Sequence, residues 1–203
     1  MKKALIITGG YINYQNINVS DYPFDLLIAA DSGYVAAKKL KLAPDVINGD
    51  FDSASYPRTT AEVISVPAEK DDTDTMLACK LAIERGAINL TIIGGTGGRA
   101  DHFLSNIFTL ESFSDRGISI ILTDGDNTIR VLNDQTFIIP NTDGYFSLFA
   151  IDTCEITLSG CKYPLKNFLL TRVNPSFAVS NEVIGDFATV SIKGKAILCE
   201  CKK

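Results

Sequence analysis

The 203-residue sequence has no tryptophan, one histidine (His102) and no cysteine pair spaced CxxC. Its five cysteines (Cys79, Cys154, Cys161, Cys199, Cys201) are an odd number, and a single histidine cannot complete a zinc site with them. That argues against both a disulfide framework and structural zinc. No apolar run approaches the roughly 20 residues of a membrane span. The opening stretch MKKALIITGG has too short an apolar core for a secretory signal, so a cytosolic protein is expected. Positive charge is also lacking: 19 Lys and Arg against 24 Asp and Glu leave a net charge of -5. Nucleic acid is therefore not expected as a partner, because neutralising its phosphates needs a cationic surface. What remains is an ordinary globular composition, 46% hydrophobic and 21% charged, long enough for two small domains.

Apolar runs closed by glycine or aspartate dominate the first part. Ala4-Leu5-Ile6-Ile7 leads to Gly9-Gly10, Leu26-Leu27-Ile28-Ala29 to Asp31-Ser32-Gly33, and Leu90-Thr91-Ile92-Ile93 to Gly94-Gly95. Near-continuous apolar strands of this kind suit a parallel sheet covered on both faces. Helical patterns over Tyr34 to Leu40, Thr73 to Arg85 and Asp101 to Phe113 fall between and after them, the last placing Phe103, Ile107 and Leu110 on one side. After Ile118 to Leu122 the helical period disappears. Short β-type runs follow at Thr136 to Ile139, Tyr145 to Ile151, Glu155 to Leu158 and Thr189 to Ile192, with turns at Asp143-Gly144 and Lys193-Gly194-Lys195. The expectation is an α/β domain over 1–125, an open and mostly parallel sheet with helices on both faces, followed by an all-β sandwich over 126–203.

Chemistry gathers where the first domain's strands end. In an extended segment Asp50 and Asp52 of Asn48-Gly49-Asp50-Phe51-Asp52-Ser53 share one face. Held about 5 Å apart at an effective dielectric near 20, they repel by roughly 3 kcal/mol, so a cation, a shared proton or solvent must compensate. Asp31 closes another strand, and Asp71-Asp72-Thr73-Asp74 opens a helix, where Asp72 taken alone reads as an N-cap. Carboxylates converging from several loops suit Mg²⁺ that keeps some waters and bridges to substrate phosphates. The stretch Gly94-Gly95-Thr96-Gly97-Gly98-Arg99-Ala100-Asp101-His102 is neither a Walker A motif nor a dinucleotide fingerprint. Its glycines let backbone approach an anion, the following helix offers free N–H groups, and Arg99 adds a forked donor. The other reading is a plain glycine turn with Asp101 capping the helix. His102 reads equally as a phosphate donor and as a packed side chain.

In order and spacing, Asp31-Ser32-Gly33, Gly49 to Ser53, Lys70 to Asp74 and Gly94 to His102 resemble the thiamine pyrophosphokinases, and Ser180-Asn181 matches a weaker C-terminal signature. The resemblance implies a Rossmann-like ATP-binding catalytic domain over 1–125 and a thiamine-binding β-sandwich over 126–203. The reaction it implies moves the pyrophosphoryl group of ATP to the hydroxyethyl oxygen of thiamine and releases AMP. By matching position, Asp50, Asp52 and Asp74 hold Mg²⁺, with Asp31 close by as a further ligand or nucleotide contact. Ser32 and Thr73 touch ATP, Arg99 and His102 steady the transferred group, and Asp101, Ser180 and Asn181 face thiamine. A homodimer with sites shared between its chains is implied as well. The chain departs from the pattern at Ala178, where many members carry Ser or Thr, and in lacking a tryptophan that some members stack on thiamine. Phe177 nearby reads as a core side chain, or else as a replacement aromatic face. A pyrophosphokinase for another acceptor, such as a hydroxymethylpterin, and a non-catalytic nucleotide or thiamine sensor stand as alternatives.

Overall fold

The structure is a computed structural model that describes residues 1–50, 59–66, 69 and 71–203. The chain divides into two compact units, Met1–Gly125 and Asp126–Lys203. The fold is mixed α/β with a separate antiparallel β sheet.

In the first unit six strands, β1 (Lys2–Ile7), β2 (Leu26–Ala30), β3 (Val46–Gly49), β4 (Glu62–Ser65), β5 (Ala87–Ile93) and β6 (Ser119–Thr123), lie in the order β4-β3-β2-β1-β5-β6. Every pair is parallel. The apolar runs sit at the centre because both of their faces are covered. Leu5, Ile7, Leu27 and Ile93 pack with Ala36 and Ala37 of α1 (Gly33–Lys39), and the alternate residues Ala4, Ile6, Ile28 and Ile92 are buried too. Chain order runs one way from β1 to β3 and the other way from β5 to β6. The loops leaving the carboxyl ends of β1, β2 and β5 border a crevice at this switch in strand order.

Helix α2 (Asp74–Glu84) is capped by Thr73, whose Oγ1 accepts the Met76 N–H at 3.2 Å, and it buries Thr75, Ala78, Cys79 and Ala82. Asp72 is thus not the cap; its carboxylate pairs with Lys80 at 2.5 Å. Helix α3 (Ala100–Ser114) buries Asn106, Thr109, Leu110 and Phe113, while Phe103 and Ile107 are only half-buried and Leu104 and Phe108 are exposed. The expected apolar stripe is displaced by a tertiary hydrogen bond: Asn106 Nδ2 turns inward and donates to the Gly95 carbonyl at 2.9 Å.

The second unit holds β7 (Asn127–Asn133), β8 (Thr136–Pro140), β9 (Gly144–Ala150), β10 (Thr153–Ser159), β11 (Leu165–Thr171), β12 (Phe187–Lys193) and β13 (Lys195–Lys202). β13 pairs antiparallel with β7 and β9, and the other four strands form an antiparallel sheet ordered β11-β10-β12-β8. Along β10 and β12 burial alternates, and the inward residues Ile156, Leu158, Val190 and Ile192 join Phe146, Leu148, Ala196 and Leu198 in one apolar cluster. Phe177 lies outside this core at 60% exposure, its ring 5.2 Å from that of Phe168. Ala178 takes the inward place, buried and accepting the Leu148 N–H at 2.8 Å. No disulfide joins any of the five cysteines among the described residues. Among the described residues no helix is long and apolar enough to cross a membrane.

Candidate active site

The crevice of the first unit is a cavity of about 580 Å³. Its lining comes from four places: Thr8 to Tyr11 after β1, Ala30 to Ser32 after β2, Thr73 to Thr75 at the start of α2, and the glycine loop after β5 with Arg99, His102 and Asn106. Six expected residues, Asp31, Ser32, Thr73, Asp74, Arg99 and His102, are thereby brought together. Asp50 follows β3 directly and is half-buried, whereas Asp52 falls outside the described residues.

Asp31 adopts a left-handed backbone (φ 47°), an uncommon conformation for a residue with a Cβ, and its N–H donates to the Asn48 carbonyl at 2.7 Å. Its Oδ1 is buried with no hydrogen-bond partner among the described residues. A buried carboxylate oxygen in that state is costly unless a ligand completes it. Ser32 caps α1 by position but makes no side-chain capping bond, which leaves its hydroxyl to the cavity.

The opposite rim is built by close backbone contact. A Cβ on Gly10 would come within 2.4 Å of the Gly95 nitrogen, and one on Gly97 within 2.5 Å of Tyr11 Cβ, so the loops after β1 and β5 touch almost main chain to main chain. Gly94, Gly95 and Gly98 take φ values of 93°, 87° and 84°, which other residues rarely adopt. Thr96 Oγ1 hydrogen-bonds to Oδ2 of Asp124, a carboxylate buried at the end of β6, and Asn106 holds Gly95 from the helix side. Asp124, Asn106 and Thr8 carry this rim and escape sequence reasoning, since each sits in an unremarkable run; an inward polar residue on an otherwise apolar helix face was the available signal for Asn106.

Arg99 precedes α3 and lies over the exposed carboxylate of Asp101, with Nε to Oδ1 at 3.1 Å and Nη2 to Oδ2 at 2.6 Å. Asp101 also accepts the His102 N–H at 2.9 Å, but it lies inside the first turn, and the N-cap position is Arg99. The Arg99 hydrogen bond, and then the His102 N–H, lower the Asp101 carboxyl to about 2. Arg99 is itself raised by the same partner. The two donors spent on Asp101 leave the guanidinium three further N–H groups for an anion.

In the second unit Ser180 has φ 56°, is exposed, and donates its N–H to Ser147 Oγ at 3.0 Å. Asn181 behaves differently. At 2% exposure its Oδ1 accepts the Tyr163 and Glu182 N–H groups, both at 3.0 Å, and its Nδ2 donates to the Tyr163 carbonyl at 2.9 Å. The amide is occupied by its neighbour Glu182 and by the main chain of Tyr163, 18 residues away.

A crevice at the carboxyl ends of a parallel sheet, with carboxylates on one rim and a glycine–arginine loop on the other, defines a class: transferases of phosphoryl or pyrophosphoryl groups. Residues 22–122 match the family described as "Thiamin pyrophosphokinase, catalytic domain", and residues 127–197 match "Thiamin pyrophosphokinase, vitamin B1 binding domain". The chain is similar to the thiamine pyrophosphokinase of Bacillus subtilis (strain 168), at 34% identity over 98% of this chain and 97% of that one. It is similar to the crystal structure of thiamine pyrophosphokinase from Bacillus subtilis, with a TM-score of 0.87 and 31% identity over 100% of both chains. A thiamin pyrophosphokinase family protein from Enterococcus faecalis gives a TM-score of 0.82 and 30% identity, again over 100% of both. The chain belongs to the thiamin pyrophosphokinase family, whose members are diphosphotransferases. A pterin acceptor and a non-catalytic sensor are not favoured.

Proposed function

We propose that the first unit, as a doubly wound ATP-binding domain, delivers the pyrophosphoryl group of Mg·ATP to thiamine held with the help of the second, a β-sandwich, giving thiamine diphosphate and AMP. The observation that carries the reading is the cleft itself: the unpartnered Asp31 Oδ1 and the Asp74 carboxyl group lie on the same cavity as the glycine–arginine loop. This all-oxygen donor set fits a hard divalent cation. Asp31, Asp50, Asp52 and Asp74 are the residues to hold it, and when bound it supplies neutralisation of the triphosphate charge.

The chain's own residues do the rest by placement. Ser32 and Thr73 stand at the starts of α1 and α2, where hydroxyls and unpaired N–H groups meet phosphate oxygens. Thr73 Oγ1 accepts from Met76 and keeps its hydrogen to donate. Arg99, pre-oriented by Asp101, turns its remaining N–H groups to the transferred group, with His102 beside it. Asp101 stays ionised at any physiological pH and attracts the cationic thiamine ring. Ser180 faces the acceptor, and Asn181, whose amide is already used, shapes the turn that presents it. Holding the hydroxyl in line with the β-phosphorus is worth several kcal/mol of barrier without a dedicated base. The working unit of this proposal is a cytoplasmic homodimer, checked by sedimentation as a species of twice 22.0 kDa.

The deciding experiment incubates the protein with Mg·ATP and thiamine and separates the products. AMP with thiamine diphosphate is expected. ADP with thiamine monophosphate means attack at the γ-phosphorus and overturns the assignment.

A further inference from the structure

We propose that Asn48 is a positioning residue of the carboxylate cleft, fixing the first turn of α2, and with it Asp74, against the ends of β2 and β3. The inference rests on the functional reading above. Asn48 is the penultimate residue of β3, 2% exposed, and directly precedes Gly49 and Asp50. Its Nδ2 donates to the main-chain carbonyl of Asp74 at 3.1 Å, and its own main-chain carbonyl accepts the Asp31 N–H at 2.7 Å. One side chain and one peptide group thus join the three segments that carry Asp31, Asp50 and Asp74.

The other half of the amide adds no hydrogen bond to the fold among the described residues: its Oδ1 is buried and has no partner there. A buried carbonyl in that state is worse for folding than an apolar side chain of the same shape. Its cross-strand neighbours are Ala30 and Ile64, so a purely structural residue at this position would be aliphatic. What an amide provides and leucine cannot is the bond to Asp74. The strand end is already tightly set, because a Cβ on Gly49 would stand 3.0 Å from Asp31 Cα. Without the amide, the direct bond from the Asp74 main chain to the end of β3 is lost. Loss of such an orienting bond lowers metal affinity by roughly 10- to 100-fold.

The test compares wild type, Asn48→Leu and Asn48→Ser by two readouts: the melting temperature without metal, and Mn²⁺ binding in the presence of ADP, followed by the electron paramagnetic resonance of the free ion. Asn48→Leu is expected to melt at or above the wild-type temperature while its Mn²⁺ dissociation constant rises about tenfold. Serine, too short to reach the Asp74 carbonyl, is expected to show the same loss of affinity, which keeps the test valid if the leucine variant fails to fold. Unchanged Mn²⁺ affinity in the variants overturns the inference and leaves the functional reading standing, as does weakened binding fully accounted for by unfolded protein. A wild-type protein that binds no Mn²⁺ overturns that reading, and the inference falls with it.

Discussion

The cleft of the first unit and the Ser180–Asn181 turn of the second carry the same kinds of polar residue, yet they differ in how those residues are satisfied. In the cleft, Asp31 Oδ1 and Asn48 Oδ1 are buried without described partners, and the Ser32 hydroxyl makes no capping bond. In the turn, Asn181 spends its carbonyl oxygen on two N–H groups and its amino group on a carbonyl. Matching a motif does not distinguish these cases, but following each donor and acceptor does. Unspent polar capacity on a cavity wall, as at Asp31, is open to a ligand, whereas spent capacity holds the chain.

The largest effect that tests this contrast separates activity from stability. Asp74→Asn is expected to lower kcat/KM roughly a hundred- to a thousandfold while the melting temperature without metal stays where it is. Asn181→Ala is expected to do the reverse. Stranding the Tyr163 and Glu182 groups costs about 3 kcal/mol, seen as a fall of roughly 6 to 12 °C for a chain of this size, with catalysis per folded molecule much less affected. If Asn181→Ala instead melts like wild type and loses thiamine binding, the turn is a ligand surface and the contrast breaks.

The smallest expected effect sharpens the contrast at Arg99–Asp101, a solvent-exposed pair that spends only part of its hydrogen-bonding capacity on itself. The folded Asp101 carboxyl sits near 2 against an ordinary 3.8. A depressed acid stabilises the fold above its unfolded value and loses that contribution as pH falls through the folded one. The melting temperatures of wild type and Asp101→Asn are therefore expected to differ slightly above pH 4 and to converge as pH falls towards 2. A constant difference across that range means that Asp101 contributes through something other than its charge.

Legibility in the sequence followed the same divide between local signal and tertiary demand. Strands β1, β2 and β5 were readable because centrally buried strands are apolar along most of their length, and the glycine loop was readable because its φ values require glycine. Strand β4 was not, since its short Glu-Val-Ile-Ser run is only partly buried. β7 hid Arg130, which lies over the Phe137 ring at 4.8 Å, and β11 is interrupted by Asn167 at φ 48°. In the site, Asp31, Ser32, Thr73, Asp74, Arg99 and His102 were legible and share one cavity. Asn48, Asn106 and Asp124 were not, because their roles depend on partners 26, 11 and 28 residues away.

The backbone contact between Gly10 and Gly95 also constrains how this gene can drift. Any replacement of Gly10, however small or conservative by the usual similarity measures, adds the same Cβ at the same place, 2.4 Å from a peptide nitrogen. In a saturation library that position would therefore show nearly uniform intolerance from alanine to tryptophan, a flat profile set by one carbon atom and not by side-chain chemistry.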